Sequence, residues 1–233
     1  KYDLKLVGIN QHIGSLFMDG KPYVEGVKAI LNIAKQFDDL EFVDLGGGFG
    51  IPYEKLNDQP RLDMVELGKQ LDEVFEQFVK DYGKEITFKI EPGRYVSAEC
   101  GVLLGTVTAV KHNGEDKYIG TDIGFNVLQR PVMYDSHHDI EVYNDSDNTE
   151  DVTVVGNICE SGDILAKHRI CPEMHVGDTM AMLDAGAYGY CMASNYNNRL
   201  RPAEVLIREN GEAILIRERD ELEDLTRHMK SIK

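Results

Sequence analysis

Three short segments carry side chains whose spacing suits binding of a phosphorylated ligand. Asp44-Leu45-Gly46-Gly47-Gly48-Phe49-Gly50 lies between a strand-like run and a helix-like run. Glycines there let backbone N–H groups approach a phosphate closely, although the loop matches neither a P-loop nor a dinucleotide fingerprint and could be only a tight turn. Gln11-His12-Ile13-Gly14-Ser15 offers an imidazole and a hydroxyl, with a satisfied structural histidine as the plainer reading. Glu91-Pro92-Gly93-Arg94 sets a carboxylate and a guanidinium three residues apart, the first able to hold a protonated nitrogen and the second a phosphate. A surface ion pair would use the same two residues. A fourth segment, Cys159-Glu160-Ser161-Gly162-Asp163, places a thiol among carboxylates, a setting that favours the protonated sulfur and suits a proton donor better than a nucleophile. Its alternative is a buried inert thiol.

The elements that must position these groups follow a repeated order. Residues 4–10 predict a buried strand, 22–37 a helix, 42–45 a second strand, the stretch with Leu71, Val74, Phe75, Phe78, Val79 and Tyr82 on one face a long helix, and 86–90 a third strand. Strand, loop and helix in succession imply parallel strands, whose C-terminal ends carry ligand-binding loops: Gln11–Leu16, Gly46–Tyr53 and Glu91–Arg94. Three neighbouring rims with His/Ser, a glycine cradle and Glu/Arg together suggest a phosphorylated cofactor with a basic ring nitrogen. After about residue 95 the rhythm changes to short strand-like runs, 102–110, 152–158, 179–183, 204–207 and 213–216, separated by Gly, Asn and Asp turns. Residues 135–151 read as a polar surface loop in which His137-His138 is a solvated pair, with no metal site expected.

Composition narrows the function classes. In 233 residues, 25 Lys and Arg face 41 Asp and Glu, a net charge of −16 that opposes nucleic-acid and anionic-membrane binding. No apolar run reaches membrane-span length, residues 1–5 lack the apolar core of a signal peptide, and four cysteines without a CxxC pair read as reduced thiols. A cytoplasmic location is the expectation.

Taken in order, Gln-His-Ile-Gly-Ser, Asp-Leu-Gly-Gly-Gly-Phe-Gly, Glu-Pro-Gly-Arg, Cys-Glu-Ser-Gly-Asp and Asp-Ala-Gly-Ala-Tyr-Gly resemble the pyridoxal-phosphate decarboxylases of the alanine-racemase-like barrel type, from about residue 4 to 217. The resemblance implies an α/β plus all-β fold: residues 1–94 as the C-terminal part of a (β/α)8 barrel that binds pyridoxal 5'-phosphate, and 95–233 as a β-sandwich or β-barrel-like domain. It implies His12 on the pyridine face, Glu91 at the ring nitrogen, and Ser15, Gly47, Gly48, Pro92, Gly93 and Arg94 around the cofactor, Arg94 also touching substrate. Tyr188 would touch cofactor phosphate and substrate. Cys159 would be the proton donor, Glu160 the holder of the distal ammonium, and Arg130 with Tyr134, in Arg-Pro-Val-Met-Tyr, the readers of a distal carboxylate.

An arginine reading that carboxylate would be left unpaired by lysine or ornithine, whereas meso-2,6-diaminopimelate satisfies both distal charges. The expected reaction is therefore CO2 release from its D-centre to give L-lysine, the last step of lysine biosynthesis, in a homodimer with shared active sites. Arg130 on a surface turn, a D-amino-acid or carboxynorspermidine decarboxylase, and a non-catalytic regulatory homologue are the alternatives. The family's Schiff-base lysine has no counterpart here, since neither Lys5 nor Lys89 occupies its position. The chain is therefore expected to be the C-terminal part of a longer enzyme and inactive alone.

Overall fold

The computed structural model describes residues 2–231; Lys1, Ile232 and Lys233 lie outside the described residues. The chain forms two compact units, residues 1–99 and 100–233. In the first, β1 (Gly8–Asn10), β2 (Phe42–Gly47) and β3 (Thr87–Glu91) form a parallel sheet in the order β1-β2-β3. Between them run α1 (Lys21–Ala34) and α2 (Met64–Tyr82), and α3 (Gly93–Ser97) follows β3.

Helix α1 buries Tyr23, Val24, Val27, Ile30, Leu31 and Ala34, one stripe at helical spacing, in a core shared with Val43 and Leu45 of β2. Each such aliphatic side chain contributes about 1.5–3 kcal/mol when removed from water. Helix α2 starts earlier than its apolar face suggests, because Asp63 caps it by accepting a hydrogen bond from Glu66 N at 2.9 Å. It ends at Gly83, whose φ of 75° is left-handed. Strand β1 is shorter than the run 4–10 predicts. Leu4 and Leu6 are 85% and 50% exposed, and only Gly8, Ile9 and Asn10 pair with β2.

In the second unit, β4 (Leu103–Asn113), β5 (Asp116–Thr121), β6 (Ile140–Tyr143), β7 (Thr149–Val155), β8 (Ile164–Pro172) and β9 (Thr179–Met182) make one sheet in the order β6-β9-β4-β5-β7-β8. The sheet curls towards a barrel, bringing its end strands β6 and β8 into contact. Inside it pack Val107, Ile119, Val152, Val154, Leu165, Met180 and Met182. The short helix α4 (Arg130–Tyr134) precedes β6, a hairpin of β10 (Glu204–Ile207) and β11 (Ala213–Arg217) follows β9, and α5 (Leu222–Thr226) comes last.

The polar stretch 135–151 is not a simple surface loop. It contains β6, paired with β9, and it buries His138 and Asp139 at 1% and 2% exposure. His137 and His138 are likewise not a solvated pair, because both rings are hydrogen-bonded within the unit. Among the described residues no helix is long and apolar enough to cross a membrane, and no group of three or more His, Cys, Asp or Glu could hold a metal ion.

Candidate active site

The C-terminal ends of the three parallel strands converge as their order requires. The loop after β1 and the glycine loop after β2 are stitched together: Phe17 N donates to Gly48 O at 3.0 Å, and Gly47 N donates to Nδ1 of His12 at 3.3 Å. Gly46 N turns back to Asp44 Oδ1 at 3.0 Å. Phe17 stacks on Tyr23 and Phe49 packs against both at a tilt, with ring centroids 5.0–5.2 Å apart, an apolar cluster beside the turn.

Two glycines are required by close approach. A Cβ on Gly47 would lie 2.1 Å from the carbonyl oxygen of Glu91, its partner in the β2/β3 register. At Gly48, where φ is 101°, a Cβ would lie 2.1 Å from Gly14 O. The third rim joins the first two through Arg94, which donates from Nη2 to Ser15 Oγ at 3.0 Å and from Nη1 to Tyr53 Oη at 2.8 Å. His12, Ser15 and Glu91 are exposed, so the rim offers an imidazole, a hydroxyl, a carboxylate and a guanidinium beside bare backbone. His12, Ser15, Gly47, Gly48, Glu91, Pro92, Gly93 and Arg94 are thus brought together. Tyr53, 4% exposed and holding Arg94, is a site residue that the motifs did not single out, although it closes the glycine loop.

The remaining candidates lie in the second unit. Cys159 and Glu160 sit exposed on one loop after β7, so the thiol is not a buried inert one. The Glu160 carboxylate accepts a hydrogen bond from Tyr196 Oη at 3.3 Å, and the Tyr196 ring packs on Phe125 at 5.1 Å. A Cβ on Gly162 would stand 3.7 Å from Val132 Cγ1, which places this loop beside α4.

On α4 the two expected substrate readers differ in environment. Arg130 is 2% exposed, with Nη1 2.7 Å from His138 Nε2, while Tyr134 is 62% exposed. Arg130 is therefore not on a surface turn. His138 Nδ1 lies 2.6 Å from Leu183 O, so the ring donates there and accepts from Arg130. Asp139 Oδ1 and Arg169 Nη1 both approach His137 Nε2, at 2.8 and 2.7 Å. Tyr188, 40% exposed, has a φ of 59°, a left-handed backbone that costs a non-glycine residue about 1–3 kcal/mol and is typical of functional loops.

Residues 12–186 match the family model described as pyridoxal-dependent decarboxylase, C-terminal sheet domain. The diaminopimelate decarboxylase of Methanothermobacter thermautotrophicus is 40% identical over 229 residues, covering 95% of this chain and 53% of that protein. That of Archaeoglobus fulgidus is 42% identical over 226 residues, covering 94% and 52%. The crystal structure of the Methanocaldococcus jannaschii diaminopimelate decarboxylase superposes with a TM-score of 0.89 at 35% identity, over 97% of this chain and 52% of that one. The chain spans about half the length of the relatives it matches.

Proposed function

This chain belongs to the family of pyridoxal-dependent decarboxylases, and from that premise we propose that the full-length protein uses pyridoxal 5'-phosphate to convert meso-2,6-diaminopimelate to L-lysine and CO2. The observation that carries the proposal is Arg94, tied to Ser15 and Tyr53 on the rim where Gly47 and Gly48 leave no space for a side chain. A guanidinium, a hydroxyl and a side-chain-free glycine turn that permits close approach are what a phosphate needs, so the residues fit the cofactor. When bound, the cofactor supplies an electron sink for the pair left on the carbon that loses CO2.

The chain's own residues then have distinct tasks. Arg94, Ser15, Gly47, Gly48 and Gly93 hold the phosphate, with Tyr53 orienting the guanidinium. His12, pinned by Gly47 N, lies against the ring face. Glu91, fixed by Pro92, holds the proton on the ring nitrogen. The thiol of Cys159 donates a proton to the substrate carbon from which CO2 departs. Glu160, steadied by Tyr196, holds the distal ammonium, and Arg130 with Tyr134 holds the distal carboxylate. Tyr188 contacts substrate and phosphate.

Support for the substrate comes from the relatives that bear its name and from the Methanocaldococcus jannaschii enzyme, crystallised with L-lysine, the product expected here. The same proposal makes the full-length protein a cytoplasmic homodimer with shared active sites. Full-length protein given meso-diaminopimelate and pyridoxal phosphate should release CO2 and L-lysine in equal amounts. Faster turnover of D-lysine, or no lysine formed, would overturn the substrate assignment. Mixed Cys159→Ala and Arg94→Ala subunits, each inactive alone, should regain activity, and no recovery would overturn the shared site.

A further inference from the structure

The residue that ends the Cys159 segment has no role in the chemistry above, yet its carboxylate is buried and accepts from two backbone N–H groups. Asp163 is 4% exposed. Its Oδ2 accepts from Ile158 N at 2.8 Å, immediately before Cys159, and its Oδ1 accepts from Phe125 N at 2.6 Å, on the neighbouring loop after β5. Its own backbone closes the same turn: Gly156 N donates to Asp163 O at 3.0 Å, and Asp163 N donates to Glu160 O at 3.1 Å. The chain from Gly156 to Asp163 is thus a loop folded around one carboxylate.

Two glycines are kept free of side chains for that carboxylate. A Cβ on Gly156 would lie 2.2 and 2.5 Å from its two oxygens, and one on Gly124 would lie 2.9 Å from Oδ2. Burial raises the pKa of Asp163, while the two backbone donors oppose the rise. The fold keeps a carboxyl where solvation is poor because two N–H groups, five and thirty-eight residues away, converge on it. The same atoms reach the other end of the loop's chemistry. Phe125, held through its N–H, packs on Tyr196, and the Tyr196 hydroxyl sits on Glu160. Arg199 Nη2 adds a clamp at Asn157 O, 2.7 Å away.

We propose that Asp163 is the positioning residue of this loop, setting the place of the Cys159 thiol through Ile158 N and of the Glu160 carboxylate through Phe125 and Tyr196. The inference deepens the proposed decarboxylase reading and rests on it for the catalytic consequence, but the loop geometry is testable without it. A displacement on the scale of an ångström costs a reaction about 100-fold, so partial release of the loop is expected to cost kcat about tenfold or more.

The test uses the full-length protein with the variants Asp163→Asn, which keeps the shape but replaces one acceptor with a donor, and Gly156→Ala, which crowds the carboxylate without removing it. Alkylation of each cysteine by iodoacetamide is followed by peptide mass spectrometry. Cys171, buried in the sheet core, reports global opening. Both variants should change the Cys159 alkylation rate about fivefold or more while Cys171 stays protected, and both should lower kcat with diaminopimelate. Unchanged Cys159 labelling, or Cys159 and Cys171 rising together, would overturn local positioning. Changed Cys159 labelling in both variants, with wild-type protein that does not decarboxylate diaminopimelate, would uphold the loop assignment and sink the substrate reading instead.

Discussion

Replacing Gly47 with alanine tests the phosphate cradle where its geometry is tightest. The added Cβ would lie 2.1 Å from Glu91 O, whereas ordinary contact begins at 3.4 Å, so the ends of β2 and β3 must separate by about 1.3 Å. Gly47 has no positive φ, which leaves the clash as the whole effect. Overpacking of this kind costs about 1–3 kcal/mol and lowers the melting temperature accordingly. The shift also moves Gly47 N away from His12 and from the proposed phosphate position. Loss of the bond that seats His12, about 0.5–1.5 kcal/mol, weakens cofactor affinity by about 2- to 13-fold. Thermal melts and pyridoxal phosphate titrations of the full-length protein read both effects. Gly68→Ala is the control, because its Cβ would meet nothing within 4 Å and an alanine inside α2 should add about 0.5–1 kcal/mol. If Gly47→Ala melts like wild type and binds the cofactor within about twofold, the cradle argument from close approach is wrong.

Two further outcomes rest on single groups. Tyr23 is fully buried with no hydrogen-bond partner for its hydroxyl among the described residues, and burial, with Asp44 nearby, pushes its pKa up to about 12. Tyr23→Phe should therefore stabilise the protein by about 1 kcal/mol in a denaturant titration, and a loss of stability would mean that the hydroxyl has a partner. Glu99 receives a bidentate pair from Arg61, both bonds 2.7 Å, and a contact from Lys55 at 2.8 Å. Led by the Arg61 hydrogen bonds, these hold its carboxyl at about 2, below the ordinary 4.5. A depressed pKa contributes stability that is present above pH 4.5 and lost as pH falls towards 2. Partial exposure and the shared cations reduce the contribution to about 1–2 kcal/mol. Glu99→Gln should cost that much at neutral pH and progressively less as pH falls through about 2, and a loss that does not depend on pH would contradict the linkage.

Much of this site could be read from local pattern, because strand ends, glycines and charged turn residues lie within a few positions of one another. Gly46–Gly48, His12 and Arg94 were identifiable for that reason. The edges of elements were harder. Leu4 and Leu6 look like strand residues but pair with no strand among the described residues, while the start of α2 is encoded in Asp63-x-x-Glu66, a capping signal rather than an apolar one. Strands β5, β6 and β8 carry no clear strand pattern, because their alternation is diluted by Lys, Asp, Glu, His and Arg, and pairing across the sheet, not propensity, makes them strands. Burial of His138 under Arg130 and the grip of Asp163 on Phe125 N join residues whose proximity exists only after folding. Tyr53 and Tyr196 belong to the same class, each defined by the charged group on which its hydroxyl rests.

The most direct measurement is equilibrium binding of pyridoxal 5'-phosphate and of pyridoxal to the full-length protein and its Arg94→Ala variant. Both ligands carry the same aldehyde and ring, so the ratio of affinities isolates the phosphate. Wild type should prefer the phosphorylated form by about 100-fold or more, and Arg94→Ala should cut that preference by about 10-fold or more. A preference that survives the loss of Arg94 undiminished, or no preference in wild type, would contradict the assignment of this rim to a phosphate.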